Sequence, residues 1–134
     1  MYNGVYNAEQ YAYLYDTLTK WLSGRIRGGS LGENLLAKGV GKIALYGVSG
    51  LGELAYEDVK DSRVEILCFL DKNAGRYGGE KHGLAVWGLE RLDQLPEDCY
   101  ILVTPEYYFR DIMEDLLAGG ICLERILSLS MVVR

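Results

Sequence analysis

The stretch "KIALYGVSGLGELAYEDV", residues 42–59, limits what this chain can fold into more than any other. An apolar run of strand length, "KIALY", passes straight into glycines and then into a segment whose apolar residues Leu54, Ala55 and Val59 fall at helical spacing. A strand that turns into a helix through glycines is the opening unit of a parallel α/β sheet. Against the phosphate-cradling pattern G-x-G-x-x-G, "GVSGLG" supplies the first glycine as Gly47 and the third as Gly52, with Ser49 at the second place and Gly50 one residue on. The second glycine lets the backbone approach a pyrophosphate, so a side chain at Ser49 narrows that approach. Glu53 adds an obstacle, because a carboxylate in the first turn of a helix gains about 0.3 to 1 kcal/mol from the field that a bound phosphate would use.

Strands and helices alternate from Lys42 onward. "KIALY", "RVEILCFL", "LAVW", "CYILVT" and "RILSL" read as strands, and "GELAYEDVKD", "LERLDQL" and "EYYFRDIMEDLLA" as helical segments between them. "KNAGRYGGEKHG" reads as turn chemistry throughout. The preceding part differs. Asn7 with Gln10 offers a capping box for a helix over 8–23, whose inward stripe is Tyr11, Leu14, Tyr15, Leu18, Leu22 and Ile26; Ser30 with Glu33 caps a second, short helix that Gly39 ends. The expected architecture is a helical arm over 1–40 followed, over 41–134, by a three-layer α/β domain with a mostly parallel five-stranded sheet and right-handed crossovers.

A chain of 134 residues is one domain's worth, and its formal charge of −5 leaves no basic face for nucleic acid or anionic lipid. Neither is expected as a partner. Cys68, Cys99 and Cys122 lie far apart without metal-ligand spacing, and read as buried small hydrophobes in a reducing compartment. "MYNGVYNAEQ" has neither the basic start nor the apolar centre of a signal peptide, so a cytoplasmic location is expected.

A parallel sheet places its ligand crevice beyond the carboxyl ends of the strands, where strand order reverses. Gly47, Val48, Ser49, Gly50, Leu51 and Gly52 occupy that turn. Asp71 follows Gly47 by 24 residues, near the spacing at which an acidic side chain accepts hydrogen bonds from a ribose, though it also begins the turn "DKN" that contains Lys72. Thr104, Pro105 and Glu106 face the same crevice; Thr104 as a cap and Pro105 at a first helical position explain those two equally well. Tyr56 and Lys60 spell Y-x-x-x-K, the catalytic pair of short-chain dehydrogenases and sugar epimerases, but on the first helix of the sheet instead of a later one. His82, the single histidine, reads as a surface loop residue. Five tyrosines, Tyr2, Tyr6, Tyr11, Tyr13 and Tyr15, crowd the start of the chain and suit either a sugar-stacking surface or packing of the arm onto its own domain or a second subunit; a homodimer through the first helix is the expectation.

Taken together, "KIALYGVSGLGELAYEDV", "EILCFLDKNAGRYGGEKHGLAVWGLERL" and "YILVTPEYYF" resemble the Rossmann-like domain of bacterial capsule and exopolysaccharide loci, which occurs alone or fused to glycosyltransferases, methyltransferases or sugar acetyltransferases. The likeness spans 41–134, and the arm with Trp21 and "SLGENLLAKGVGKIALYG" is similar to the helical lead-in of such domains. In the acetyltransferase relatives the domain binds the nucleotide-sugar. The resemblance therefore implies a nucleotide or nucleotide-sugar module serving cell-surface polysaccharide synthesis, with Gly47, Ser49, Gly50, Gly52 and Asp71 at the ligand and a glycan-biosynthesis enzyme as partner. The β-helix that carries the acetyl-transfer histidine in those relatives lies outside this sequence, so no complete catalytic site is expected in this chain. The two rival readings are an NAD(P)-dependent sugar oxidoreductase or epimerase fragment and a protein-interaction domain that has lost its ligand. The expected ligand is NAD(P) or a nucleotide-sugar, held weakly.

Overall fold

The computed structural model describes residues 7–48 and 50–133, so expectations for Tyr2, Tyr6 and Ser49 lie outside the described residues. Two helices open it, α1 (Ala8–Ile26) and α2 (Leu31–Ala37), followed by β1 (Lys42–Tyr46), α3 (Leu51–Val59) and β2 (Glu65–Leu70). A two-residue strand β3 (Glu80–Lys81) and β4 (Leu84–Trp87) come next, then β5 (Tyr100–Val103), α4 (Phe109–Ala118), β6 (Ile126–Ser128) and α5 (Leu129–Val132). Short 3-10 segments at Ala74–Tyr77, Leu89–Gln94, Glu106–Tyr108 and Leu123–Arg125 fill the connections.

The sheet has six strands in the order β3-β4-β2-β1-β5-β6, with every pair parallel except β3 with β4. The sixth strand corrects the expected five. It is the edge pair Glu80–Lys81 inside the segment read as turn throughout, too short and too close to glycines to show a period of two. Alternation along the strands separates two apolar clusters, one on each face. Ile43, Leu45, Phe69, Leu102 and Leu127 meet α2, α3 and α5 on one side. Ala44, Tyr46, Cys68, Leu70, Ile101 and Val103 meet Leu92, Ile112 and Leu116 on the other. Burial raises the thiols of Cys68 and Cys99 to about 12 and about 11, whereas Cys122, expected inside, is exposed.

The capping box Asn7 with Gln10 forms as expected, and Ser30 accepts from the Glu33 amide at the start of α2. The buried face of α1 is not the expected tyrosine and leucine stripe. Gln10, Thr17 and Trp21 are buried with Leu14 and Leu18 half-buried, while Tyr15 and Ile26 are 74% and 75% exposed. Residues 10, 14, 17, 18 and 21 form an equally regular helical row. Polar partners choose between the rows: Trp21 Nε1 donates to Asp58 Oδ2 at 2.6 Å, and Gln10 Nε2 donates to the Tyr108 hydroxyl at 2.9 Å. A buried indole N–H or carboxamide left unpartnered is costly, so these two bonds orient the helix. Among the described residues no helix is long and apolar enough to cross a membrane.

One close approach fixes α3 against the sheet. A Cβ on Gly52 would lie 1.9 Å from the Gly47 carbonyl oxygen, a backbone atom that cannot move aside. Gly52→Ala is therefore expected to lower stability by about 3 kcal/mol, the upper range for overpacking. Gly41→Ala, where a Cβ meets nothing within 4 Å, is the control and should stay within about 0.5 kcal/mol. Urea denaturation of the pair checks this, and equal midpoints would show that α3 can slide off the strand.

Candidate functional site

The chain runs outward from β1 through β2 to β4, then returns to place β5 and β6 on the other side of β1. Strand order reverses between β1 and β5, whose ends Tyr46 and Val103 are paired in register. A cavity of about 350 Å³ lies beyond those ends. It is lined by Gly47, Val48, Gly50, Leu51, Asp71, Thr104 and Pro105, together with Glu106, Tyr107, Tyr108 and three residues of α1: Gln10, Tyr13 and Leu14.

Each wall has a local cause. Gly47 has φ +105°, and a Cβ there would fall 2.5 Å from Thr104 Oγ1 and 3.1 Å from Pro105 Cδ, so only glycine lets the two crevice strands end this close together. Thr104 is 1% exposed and caps no helix: it lines the cavity while Oγ1 donates to the Tyr46 carbonyl at 2.7 Å. It latches the end of β5 to the end of β1. Pro105 precedes the 3-10 turn Glu106–Tyr108 as its N-cap, instead of standing in a first helical turn. Gly50, at φ +60°, is the exposed N-cap of α3 and has no neighbour within 4 Å of a Cβ.

Asp71 combines both readings offered by its sequence. Its Oδ1 accepts from the Asn73 amide at 2.8 Å, the bond of an Asx turn, and the residue also lines the cavity. Glu106 lines the opposite wall with Oε2 accepting from the Ser130 amide at 3.3 Å. Lys72 and Gly52 do not join them. The Lys72 ammonium is 3.6 Å from Asp115 Oδ2 on α4, and Gly52 is buried under the Gly47 carbonyl. Glu53 is also outside: its carboxylate turns away to His82, at 2.6 Å, and Lys81, at 3.5 Å. The obstacle expected from Glu53 is therefore replaced by Asp71 and Glu106, and among the described lining residues there is no lysine or arginine. Behind the wall, burial and then Asp71 and Asp115 raise the Tyr46 hydroxyl to about 12.

The α1 wall was invisible locally, because its bonds join residues about a hundred positions apart. Gln10 reaches Tyr108, the Tyr13 and Tyr107 rings meet edge to face at 5.8 Å, and the Tyr107 hydroxyl lies 3.5 Å from Glu9 Oε1. At its other end α1 is held by Asp58, which accepts from Trp21, from Arg25 Nη1 at 3.1 Å and from the Leu31 amide at 3.3 Å. The side chain of Asp58 is only 6% exposed. Tyr56 stacks on His82, and Lys60 binds Glu57 at 2.8 Å with its ammonium 5.9 Å from the centre of the Tyr56 ring.

Residues 39–127 match the family described as C2185-like, N-terminal, and the chain belongs to that family. The matched region carries the glycine turn, Asp71 and the whole of Thr104–Tyr108; the α1 wall precedes it. No curated protein matches the chain.

Removing Asp58 strands an indole donor and a backbone amide as well as an arginine. Asp58→Ala is expected to cost about 2 to 4 kcal/mol, as for other broken buried polar networks. Asp58→Asn, which keeps one acceptor oxygen but sets an NH2 against the remaining donors, should cost less than Asp58→Ala without restoring wild-type stability. A loss within about 0.5 kcal/mol for Asp58→Ala in urea denaturation would mean that the arm is held by other contacts.

Proposed function

We propose that this chain is a Rossmann-like, three-layer nucleotide or nucleotide-sugar binding module, and that the cavity at the reversal of strand order is its ligand site. The observation that carries the reading is the convergence of Gly47, Gly50, Leu51, Asp71 and Thr104 on one cavity at the carboxyl ends of β1 and β5. Asp71 stands at the end of β2, where a carboxylate can accept from ribose or sugar hydroxyls, and Tyr13, Tyr107 and Tyr108 supply flat apolar surface for a base or sugar ring. The resemblance to capsule and exopolysaccharide domains supports cell-surface polysaccharide synthesis as the setting, in the cytoplasm and beside a glycan-biosynthesis enzyme. No reaction is assigned to the chain itself.

The same cavity disfavours phosphate. The α3 N-terminus has to hold an anion without a lysine or arginine among the described lining residues, and with Asp71 and Glu106 nearby. Dinucleotide binding is accordingly expected to be weak, with a dissociation constant on the order of 1 mM, or about 4 kcal/mol. Calorimetry against NAD, NADP, coenzyme A and a set of nucleotide-sugars tests both halves of the reading. Saturable binding that Tyr13→Ala weakens supports the module. Micromolar affinity for NAD would overturn the weak-phosphate half, and silence towards all the ligands would overturn the module itself.

A second reading concerns partners. Tyr11, Tyr15, Leu22 and Ile26 are 53%, 74%, 62% and 75% exposed along α1, and a second copy of the chain is the proposed cover for them. Sedimentation equilibrium should then show a dimer that Tyr15→Glu with Ile26→Glu converts to monomer; a wild-type protein that stays monomeric at high concentration rules the dimer out.

A further inference from the structure

Away from the cavity, α3 faces the β3–β4 hairpin across a small polar cluster. The hairpin loop is the pair His82–Gly83, both at positive φ, +56° and +78°, as a two-residue loop of type I′ requires. That loop holds the His82 ring flat against Tyr56, with centroids 4.3 Å apart and planes within 4°. The ring's Nε2 is thereby set 2.6 Å from Glu53 Oε1. Glu57 stands one helical turn after Glu53, on the same face. One carboxylate oxygen from each glutamate and a ring nitrogen of His82 lie within 4.8 Å of one another.

The Glu53 carboxylate is incompletely satisfied. Its Oε2 is shut off from water and accepts no hydrogen bond. Lys81 balances it only as an ion pair at 3.5 Å, with a side chain 37% exposed. With the Lys81 ammonium at 3.5 Å and no hydrogen bond made, Oε2 is free to take a shorter bond to a cation. Lys60, which pairs with Glu57 and holds its carboxyl below the usual range, is likewise on a flexible stem at the surface. A divalent ion could replace both ammonium groups, each of which reaches its carboxylate on an exposed, flexible side chain.

We infer that Glu53, Glu57 and His82 form a binding site for a divalent transition-metal ion. One imidazole nitrogen and two carboxylate oxygens are a donor set suited to zinc and its neighbours, in preference to calcium or magnesium. Ligand atoms around such an ion at about 2.1 Å stand roughly 3.4 Å apart, so the cluster needs only a small rearrangement of side chains. The fourth position is left to water. Bound there, the ion ties the first turn of α3 to the edge hairpin, a role independent of the ligand cavity.

The test uses the full chain with cobalt(II) as a spectroscopic probe and zinc for calorimetry. Wild type should bind one equivalent of either ion, and cobalt should give visible absorption bands of a low-coordinate N/O site. His82→Asn keeps a residue tolerant of positive φ in the loop, and Glu57→Gln keeps the helix. Each should weaken binding by about 10-fold or more, since losing even an outer partner of a metal ligand costs about that much. Cys122→Ser, which removes the exposed thiol, should change nothing. Absence of binding up to about 1 mM, full affinity in either His82→Asn or Glu57→Gln, or loss of binding in Cys122→Ser would each overturn the proposal.

Discussion

The contact between the Gly52 methylene and the Gly47 carbonyl is the constraint on which the rest of the fold depends. With a Cβ position only 1.9 Å from that oxygen, α3 lies as close to the end of β1 as a helix can. Because α3 is pressed there, its N-terminus opens at the carboxyl edge of the sheet, and the chain must leave β1 through a residue at positive φ. The same Gly47 leaves room for Thr104 and Pro105 to come alongside, so that β5 ends level with β1 and a cavity remains between their outgoing chains. A phosphate-binding frame and a structural frame need identical glycines at Gly47 and Gly52. What separates them is charge on the walls, and here the walls carry carboxylates.

A second carboxylate acts by being buried. Asp58 gathers an indole N–H, a guanidinium and the first amide of α2, and so anchors α1 to α3 at one end. A rigid helix pinned at Trp21 reaches the 3-10 turn after β5 about three turns away, where Gln10 and Tyr13 close the cavity. The helix that precedes the family's matched region is in this way part of the site's geometry. A single buried carboxylate on α3 thus holds α1 and α2 to the sheet domain.

Elements whose signals are local were legible in the sequence: β1 over "KIALY", β4 over "LAVW", the capping box of α1 and the Ser30 cap of α2, and the glycine turn with Asp71 beyond it. The bounds of α1, the inward row of that helix and the edge strand β3 were not. Two rows of α1 have the same helical spacing, and the choice between them rests on hydrogen-bond partners that sequence distance conceals. The same holds for Glu53, whose position in the first turn of α3 was plain, but whose partners Lys81 and His82 enter from a hairpin nearly thirty residues later. Thr104 shows the limit differently: a residue type that commonly caps helices spends its hydroxyl on a neighbouring strand.

The wall supplied by α1 also sets an order of events during synthesis. Gln10 pairs with Tyr108 and Asn34 Nδ2 with the Val132 carbonyl, each across 98 positions of chain. While a ribosome is still making β4, Asp58 is already there for Trp21, but the turn that Gln10 and Tyr13 dock on does not yet exist. Contacts of such long range close late, after the loop entropy of the intervening sheet has been spent. Gln10 and Tyr13 of a nascent α1 therefore wait for Tyr108 and Tyr107, and the α1 wall of the cavity takes shape only after β5 has been made.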